Sequence, residues 1–236
     1  MTKQVENNQK QNLETKDSTL AQEQDGDLMD VAILSELASM GAGHAATSLS
    51  EVLQQPVTIE VPRVHRAPAH LLLKEFGLHE TPTTALYISL ASGPECDILL
   101  MLEADEARKV AAMMTMTPVE ELDPAMEASA TEELANILVG SFLSAISDFA
   151  GLQLMTAPPE RIVDAFDSIL DFILAKNSML HSEILLFDIL FKASEKVSRC
   201  MLLAFPSPDM QRYLVEKSRV MAGADIAEPS LQTVGT

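Results

Sequence analysis

Glu133 and Asn136 stand three residues apart in a stretch whose apolar residues recur with helical spacing, so a helix would carry both on one face. A carboxylate can pair with a cation. A carboxamide both donates and accepts hydrogen bonds, so it can hold a water and aim it. Together these are parts for chemistry in which positioning and electrostatics do most of the work, such as phosphoryl hydrolysis by a directed water. By spacing alone the pair also reads as a solvated helix face. The pattern, however, occurs twice: Glu36, Ser39 and Pro62 recur 97 residues later as Glu133, Asn136 and Pro159. A repeat of that length is a duplicated supersecondary unit. Ser39 is shorter than an asparagine and cannot hold a water at the same distance from the helix. The Glu133/Asn136 face therefore ranks above the Glu36/Ser39 face.

Other chemistry-bearing residues read as structural. Pro62 and Pro159 lack an N–H, so each is expected to end ladder pairing and turn the chain. The small residues of the segment from Gly41 to Ala46 predict close helix packing, and the segment lacks the spacing of a phosphate-binding loop. His44 reads as a partly buried helix residue, and His65, His70, His79 and His181 are scattered without metal-ligand spacing. Met113, Met114 and Met116 read as core filling. Cys96 and Cys200 fall in apolar runs typical of buried strands, which predicts two reduced thiols. No metal or cofactor is expected on this chain.

The elements that must position these residues follow from the composition. The 236 residues are 47% hydrophobic and only 4% aromatic, with 13 Met and a formal charge of −19. That charge argues against nonspecific binding to nucleic acid or anionic membrane and allows a basic partner. Neither a secretory leader nor a run approaching a membrane span is apparent, so a cytoplasmic location is expected. Residues 1–27 are polar and aperiodic and read as a disordered tail, and residues 223–236 as a C-terminal tail. Between them lie repeat one, about residues 28–117, and repeat two, about 124–222. The expected elements of the first are a helix over 28–53, a strand over 57–62, a helix over 68–76, a hairpin of 84–92 with 96–102, and a helix over 105–114 capped by Asp105. The second repeats this order with helix 124–149, strand 152–156, helix 162–175, hairpin 181–191 with 197–205, and helix 208–220. It carries about seven extra residues, placed in the turn 192–196. The fold class is α+β: one pseudo-twofold domain of two α-β-α-β-β-α repeats sharing a β-sheet, with two long helices on one face.

The stretch from Ser35 to Ser50, followed by the strand ending at Pro62, resembles the opening of CheC, in the CheC/CheX/FliY family of chemotaxis phosphatases. The family pattern is Asp or Ser, three residues, Glu, two residues, Asn, twenty-two residues, Pro. Repeat two fits throughout with Ser129, Glu133, Asn136 and Pro159. Repeat one departs at Ala32 and Ser39 and keeps Glu36 and Pro62. The resemblance implies hydrolysis of the aspartyl phosphate of a CheY-like response regulator. Glu133 would pair with a lysine of the regulator and Asn136 would orient the water, with Mg²⁺ held by the regulator. Glu36 and Ser39 would form a degenerate second site. The resemblance also allows a CheD-like deamidase as partner, and hence an adaptor with little catalysis. It implies neither the C-terminal switch domain nor the N-terminal docking peptide of FliY proteins.

Overall fold

The computed structural model describes residues 2–76, 80–193 and 197–223. The chain runs α1 (Thr2–Leu53), β1 (Val57–Ile59), β2 (Arg63–Ala67), α2 (Ala69–Phe76), β3 (Pro82–Ser92), β4 (Cys96–Glu103) and α3 (Ala104–Thr115). A 3-10 turn at Val119–Glu121 leads to α4 (Pro124–Ala150), β5 (Met155–Thr156), β6 (Glu160–Ala165), α5 (Phe166–Ser178), β7 (Ile184–Ala193), β8 (Val197–Pro206) and α6 (Pro208–Met221). Each repeat is thus α-β-β-α-β-β-α, one strand richer than the sequence pattern indicates.

All eight strands join one sheet in the order β1-β7-β8-β4-β3-β5, with β2 also on β7 and β6 also on β3. The first two strands of each repeat pair with the hairpin of the other repeat. Exchanging repeat partners turns this order into itself, read from the opposite edge. Neither half could complete its sheet alone.

The central strands β4 and β8 are apolar at nearly every position because both faces are covered. Leu100, Leu102, Leu202 and Ala204 pack under α1, α3, α4 and α6, while Leu99, Met101, Leu203 and Phe205 pack under α2 and α5. Cys96 and Cys200 are buried free thiols in these two strands. Burial pushes the Cys96 thiol up to about 12 and raises that of Cys200 as well, which keeps both protonated.

Several expectations are corrected. Residues 2–27, read as a tail, fall within the span of α1, and their Gln, Glu and Lys content without proline favours helix. Residues 162–165 are strand, not helix, because β6 pairs with β3 from Pro82↔Ala165 to Tyr87↔Glu160. The extra length of repeat two lies largely in α5, 13 residues against 8 in α2. The tip of the β7–β8 turn, the C-terminal tail after residue 223 and His79 lie outside the described residues. Helix α3 starts after Glu103, so Asp105 sits in its first turn and complements the helix dipole without capping it.

The prolines do less turning than their chemistry suggests. From Ile59 to Arg63 the chain advances four residues while its partner β7 advances three, from Phe191 to Asp188. From Thr156 to Glu160 it again advances four against three, from Leu90 to Tyr87. Pro62 and Pro159 therefore sit in matching one-residue bulges, where a missing N–H costs no ladder bond. The Glu60 and Ala157 amides, three and two residues earlier in the chain than Arg63 and Pro159, still donate to Leu190 and Ser89 at 3.0 and 2.9 Å.

Candidate functional site

Helix α4 is fixed at both ends. Asp123 accepts hydrogen bonds from the Ala125 and Met126 amides at 2.8 Å each, with Pro124 opening the helix. Gly151 closes it at φ 67°, a conformation that glycine adopts without strain. Leu134, Ala135, Leu138, Val139, Phe142 and Ile146 bury one side of the helix against the sheet and α1. The opposite side exposes Ser129, Glu133, Asn136, Gly140 and Ser144, residues spaced by three or four and hence stacked along one stripe. Neither Glu133 nor Asn136 is hydrogen-bonded or ion-paired within the described residues. A Cβ built on Gly140 would meet nothing within 4 Å, so the surface one turn beyond Asn136 is open. The stripe is two polar side chains standing among small ones on a rigidly seated helix.

The equivalent stripe on α1 carries Ala32, Glu36, Ser39 and Gly43. Glu36 is exposed and, like Glu133, has no hydrogen bond or ion pair among the described residues. Ser39 is half-buried, and its hydroxyl donates to the Ser35 carbonyl at 2.9 Å. The one donor hydrogen of that side chain is therefore spent on its own helix. The two helices touch where Gly41 faces Phe142: a Cβ on Gly41 would lie 2.6 Å from Phe142 Cδ2. Nearby, Ser141 donates to Ser48 at 2.7 Å. Close packing thus explains Gly41. It does not explain Gly43 or Gly140, which are repeat equivalents and both open.

An anchor beside the α4 stripe was not read from the sequence. Glu127, in the first turn, accepts a hydrogen bond from Arg161 of β6 at 2.9 Å and lies 3.9 Å from Arg108 of α3. Arg108 also donates to the Val119 and Leu122 carbonyls at 3.2 and 3.3 Å. These contacts tie the start of α4 to the strand that follows Pro159. Asp30, the repeat equivalent of Glu127, is held instead by Arg219 of α6. The sequence signal was faint: the acids align in the repeat, but Arg161 of β6 and Arg219 of α6 stand on non-equivalent elements, and Arg108 and Arg219, on the equivalent helices α3 and α6, stand at non-equivalent positions.

Comparison with known proteins finds family matches in both halves of the chain. The model of the CheC-like family matches residues 29–66, around Glu36 and Pro62. The model described as chemotaxis phosphatase CheX matches residues 85–167, which contain Ser129, Glu133, Asn136 and Pro159. CheY-P phosphatase CheC of Bacillus subtilis (strain 168) is 26% identical over 198 residues, 82% of this chain and 94% of that protein. The chain is thus similar to proteins of the CheC/CheX/FliY family in both halves. The flagellar motor switch phosphatase FliY of the same organism is 26% identical over 134 residues, 56% of this chain but only 35% of that protein. The crystal structure of FliY from Thermotoga maritima shares the fold with a TM-score of 0.61 at 20% identity, over 80% of this chain and 95% of that one.

The remaining candidates sort by burial. His44 is exposed, not partly buried, since it lies on the outer side of α1. Met113 and Met114 pack against the core, but Met116 is 84% exposed because it takes the left-handed position that ends α3, at φ 53°. Among the described residues no three His, Cys, Asp or Glu side chains cluster as a metal site. Contrary to the reading that no segment approaches a membrane span, α4 is long and apolar enough by length and composition. Half of its most apolar window is buried within the protein, which accounts for that apolarity.

Proposed function

We propose that this chain is a phosphatase that hydrolyses the aspartyl phosphate of a CheY-like response regulator in chemotaxis or related two-component signalling in the cytoplasm. The observation that carries this reading is the α4 stripe, where a free carboxylate and a free carboxamide stand together on a helix fixed at both ends. Glu133 pairs with a lysine of the regulator and so sets the register of docking. Asn136 then reaches the phosphoryl group and holds a water in line with the bond to be broken. The water oxygen bonds to phosphorus as the bond to the aspartyl oxygen breaks. The regulator recovers its carboxylate, and inorganic phosphate leaves with the protons of the water. The Mg²⁺ of the reaction belongs to the regulator. Ser129 and Pro159 support the motif through the helix start and the bulge, and Pro62 does the same in repeat one.

The α1 stripe favours a second role for the other half. With the Ser39 hydroxyl bonded to Ser35, Glu36 is left to dock without an aimed water. Capture of a regulator or of a CheD-like deamidase with little hydrolysis is the reading that this face supports.

The test is the decay of phosphorylated receiver domains with the wild-type protein and with Asn136→Ala. Loss of an aiming donor should cut the stimulated rate about 100-fold or more while regulator binding persists. If the wild-type protein leaves the decay of every cognate receiver unchanged, the phosphatase reading fails.

A further inference from the structure

Helix α4 carries a glycine that its own structure does not require. Gly140 lies well inside the 27-residue helix, exposed, four residues after Asn136. Glycine in a helix interior is less favourable than alanine. Two ordinary reasons for a glycine fail here. Its φ is not positive, unlike that of Gly93, Gly151 and Gly223. A Cβ at 140 would meet nothing within 4 Å, so no neighbour in the chain needs the space. Gly41 is the opposite case, with Phe142 only 2.6 Å from the position of a Cβ. Repeat one keeps the open glycine too: Gly43 follows Ser39 by four residues and also meets nothing. The reason for Gly140 therefore lies outside the chain.

Helix geometry says what the glycine leaves bare. Side chains lean toward the helix N-terminus, so each covers the turn before its own Cα. A side chain at 140 would lie over the turn that carries Asn136. Ordinary side chains stand about 3 Å above the helix backbone, close to the reach of an asparagine amide. With glycine at 140, the Asn136 amide has bare backbone on its C-terminal side. A partner can come down onto the helix there and bring a recessed group within reach of the amide.

We propose that Gly140 is a positioning residue for the reaction: the receiver loop that borders the phosphorylated aspartate seats its backbone against α4 at Gly140, and this close approach lets Asn136 hold the attacking water in line. The inference rests on the phosphatase reading of the α4 face and adds a rule of selectivity to it. Receivers that present backbone or a small side chain at that edge are substrates, and receivers that present a bulky side chain there are held off. A methyl group at 140 would keep the loop away by about 1.5 Å. The ion pair of Glu133 can follow such a shift on two flexible side chains. Aiming a water cannot, because misplacement by about 1 Å can cost about 100-fold in rate.

The test measures phosphate release against receiver concentration for the full chain and for Gly140→Ala and Gly140→Gln, together with thermal melting and receiver binding. Gly140→Ala should melt higher than the wild type, yet lower kcat about tenfold or more with KM changed about threefold or less. Gly140→Gln, a longer side chain that also favours helix, should lower kcat further and weaken receiver binding about tenfold. A kcat within about twofold of wild type in both variants overturns the inference and leaves the phosphatase reading standing. Lowered melting of Gly140→Ala assigns the glycine to internal packing and overturns the inference as well. If the wild-type chain binds the receiver without speeding its decay, the phosphatase reading fails by itself. In that case binding weakened about tenfold by Gly140→Gln still supports the close approach, and unchanged binding overturns it. A wild-type chain that neither binds nor dephosphorylates any cognate receiver overturns both.

Discussion

The α1 and α4 faces carry matching residues 97 positions apart, and they differ where chemistry would be done rather than where packing is done. Both keep an exposed glutamate at the same repeat position, Glu36 and Glu133, with no bonding partner among the described residues. Both keep an open glycine one turn beyond the third residue, Gly43 and Gly140. Both lead into a strand pair interrupted by a proline bulge on the neighbouring hairpin. The change lies at a single step of the stripe. Asn136 projects a free amide, whereas Ser39 folds its hydroxyl back to Ser35. A duplicated fold can thus retain its docking geometry in both halves while only one half keeps a group able to aim water. Packing tolerates this because the residue in question faces solvent and contributes little to the core.

Three sets of substitutions sharpen the contrast. The largest stability effect is expected from Gly41→Ala. Its new Cβ would fall 2.6 Å from the buried ring of Phe142, so α1 and α4 must separate. Overpacking of this kind costs about 1–3 kcal/mol, measurable as a lowered midpoint in urea unfolding. The next concerns docking. Glu133→Ala should weaken regulator binding about tenfold, and Glu36→Ala should also weaken it measurably in the same titration. Equal losses would mean that the two faces dock alike. The smallest effect is a gain. Gly43→Ala and Gly140→Ala have room for the methyl group and remove backbone freedom from the unfolded chain, so each should stabilise by about 0.5–1 kcal/mol. Calorimetric melting of the two variants checks this, and destabilisation by either would show that these glycines are needed for packing after all.

Much of this contrast was legible in the sequence, and the failures have physical causes. The repeat spacing located both stripes, and helix periodicity located α4 almost to the residue. The hairpins were readable because their runs are long, apolar and separated by turn residues. β2 was missed because Arg63, His65 and Arg66 make a polar edge strand with no apolar alternation, held by its pairing to β7. β6 was absorbed into the next helix because Ile162 and Val163 continue the apolar pattern of α5, and only their pairing with β3 decides the matter. The direction of the Ser39 hydroxyl and the Glu127 anchor depend on rotamers and on distant strands. No spacing along the chain encodes them.

The most direct test copies one face onto the other. With Asn136→Ser, α4 carries the residue of α1 at the aiming position while Glu133, the helix caps and the core stay as they are. Measured as decay of a phosphorylated receiver domain, the stimulated rate should fall to the receiver's own rate, with binding preserved through Glu133. A rate that stays near the wild-type value would contradict the claim that the amide of Asn136 separates a hydrolysing face from a docking one.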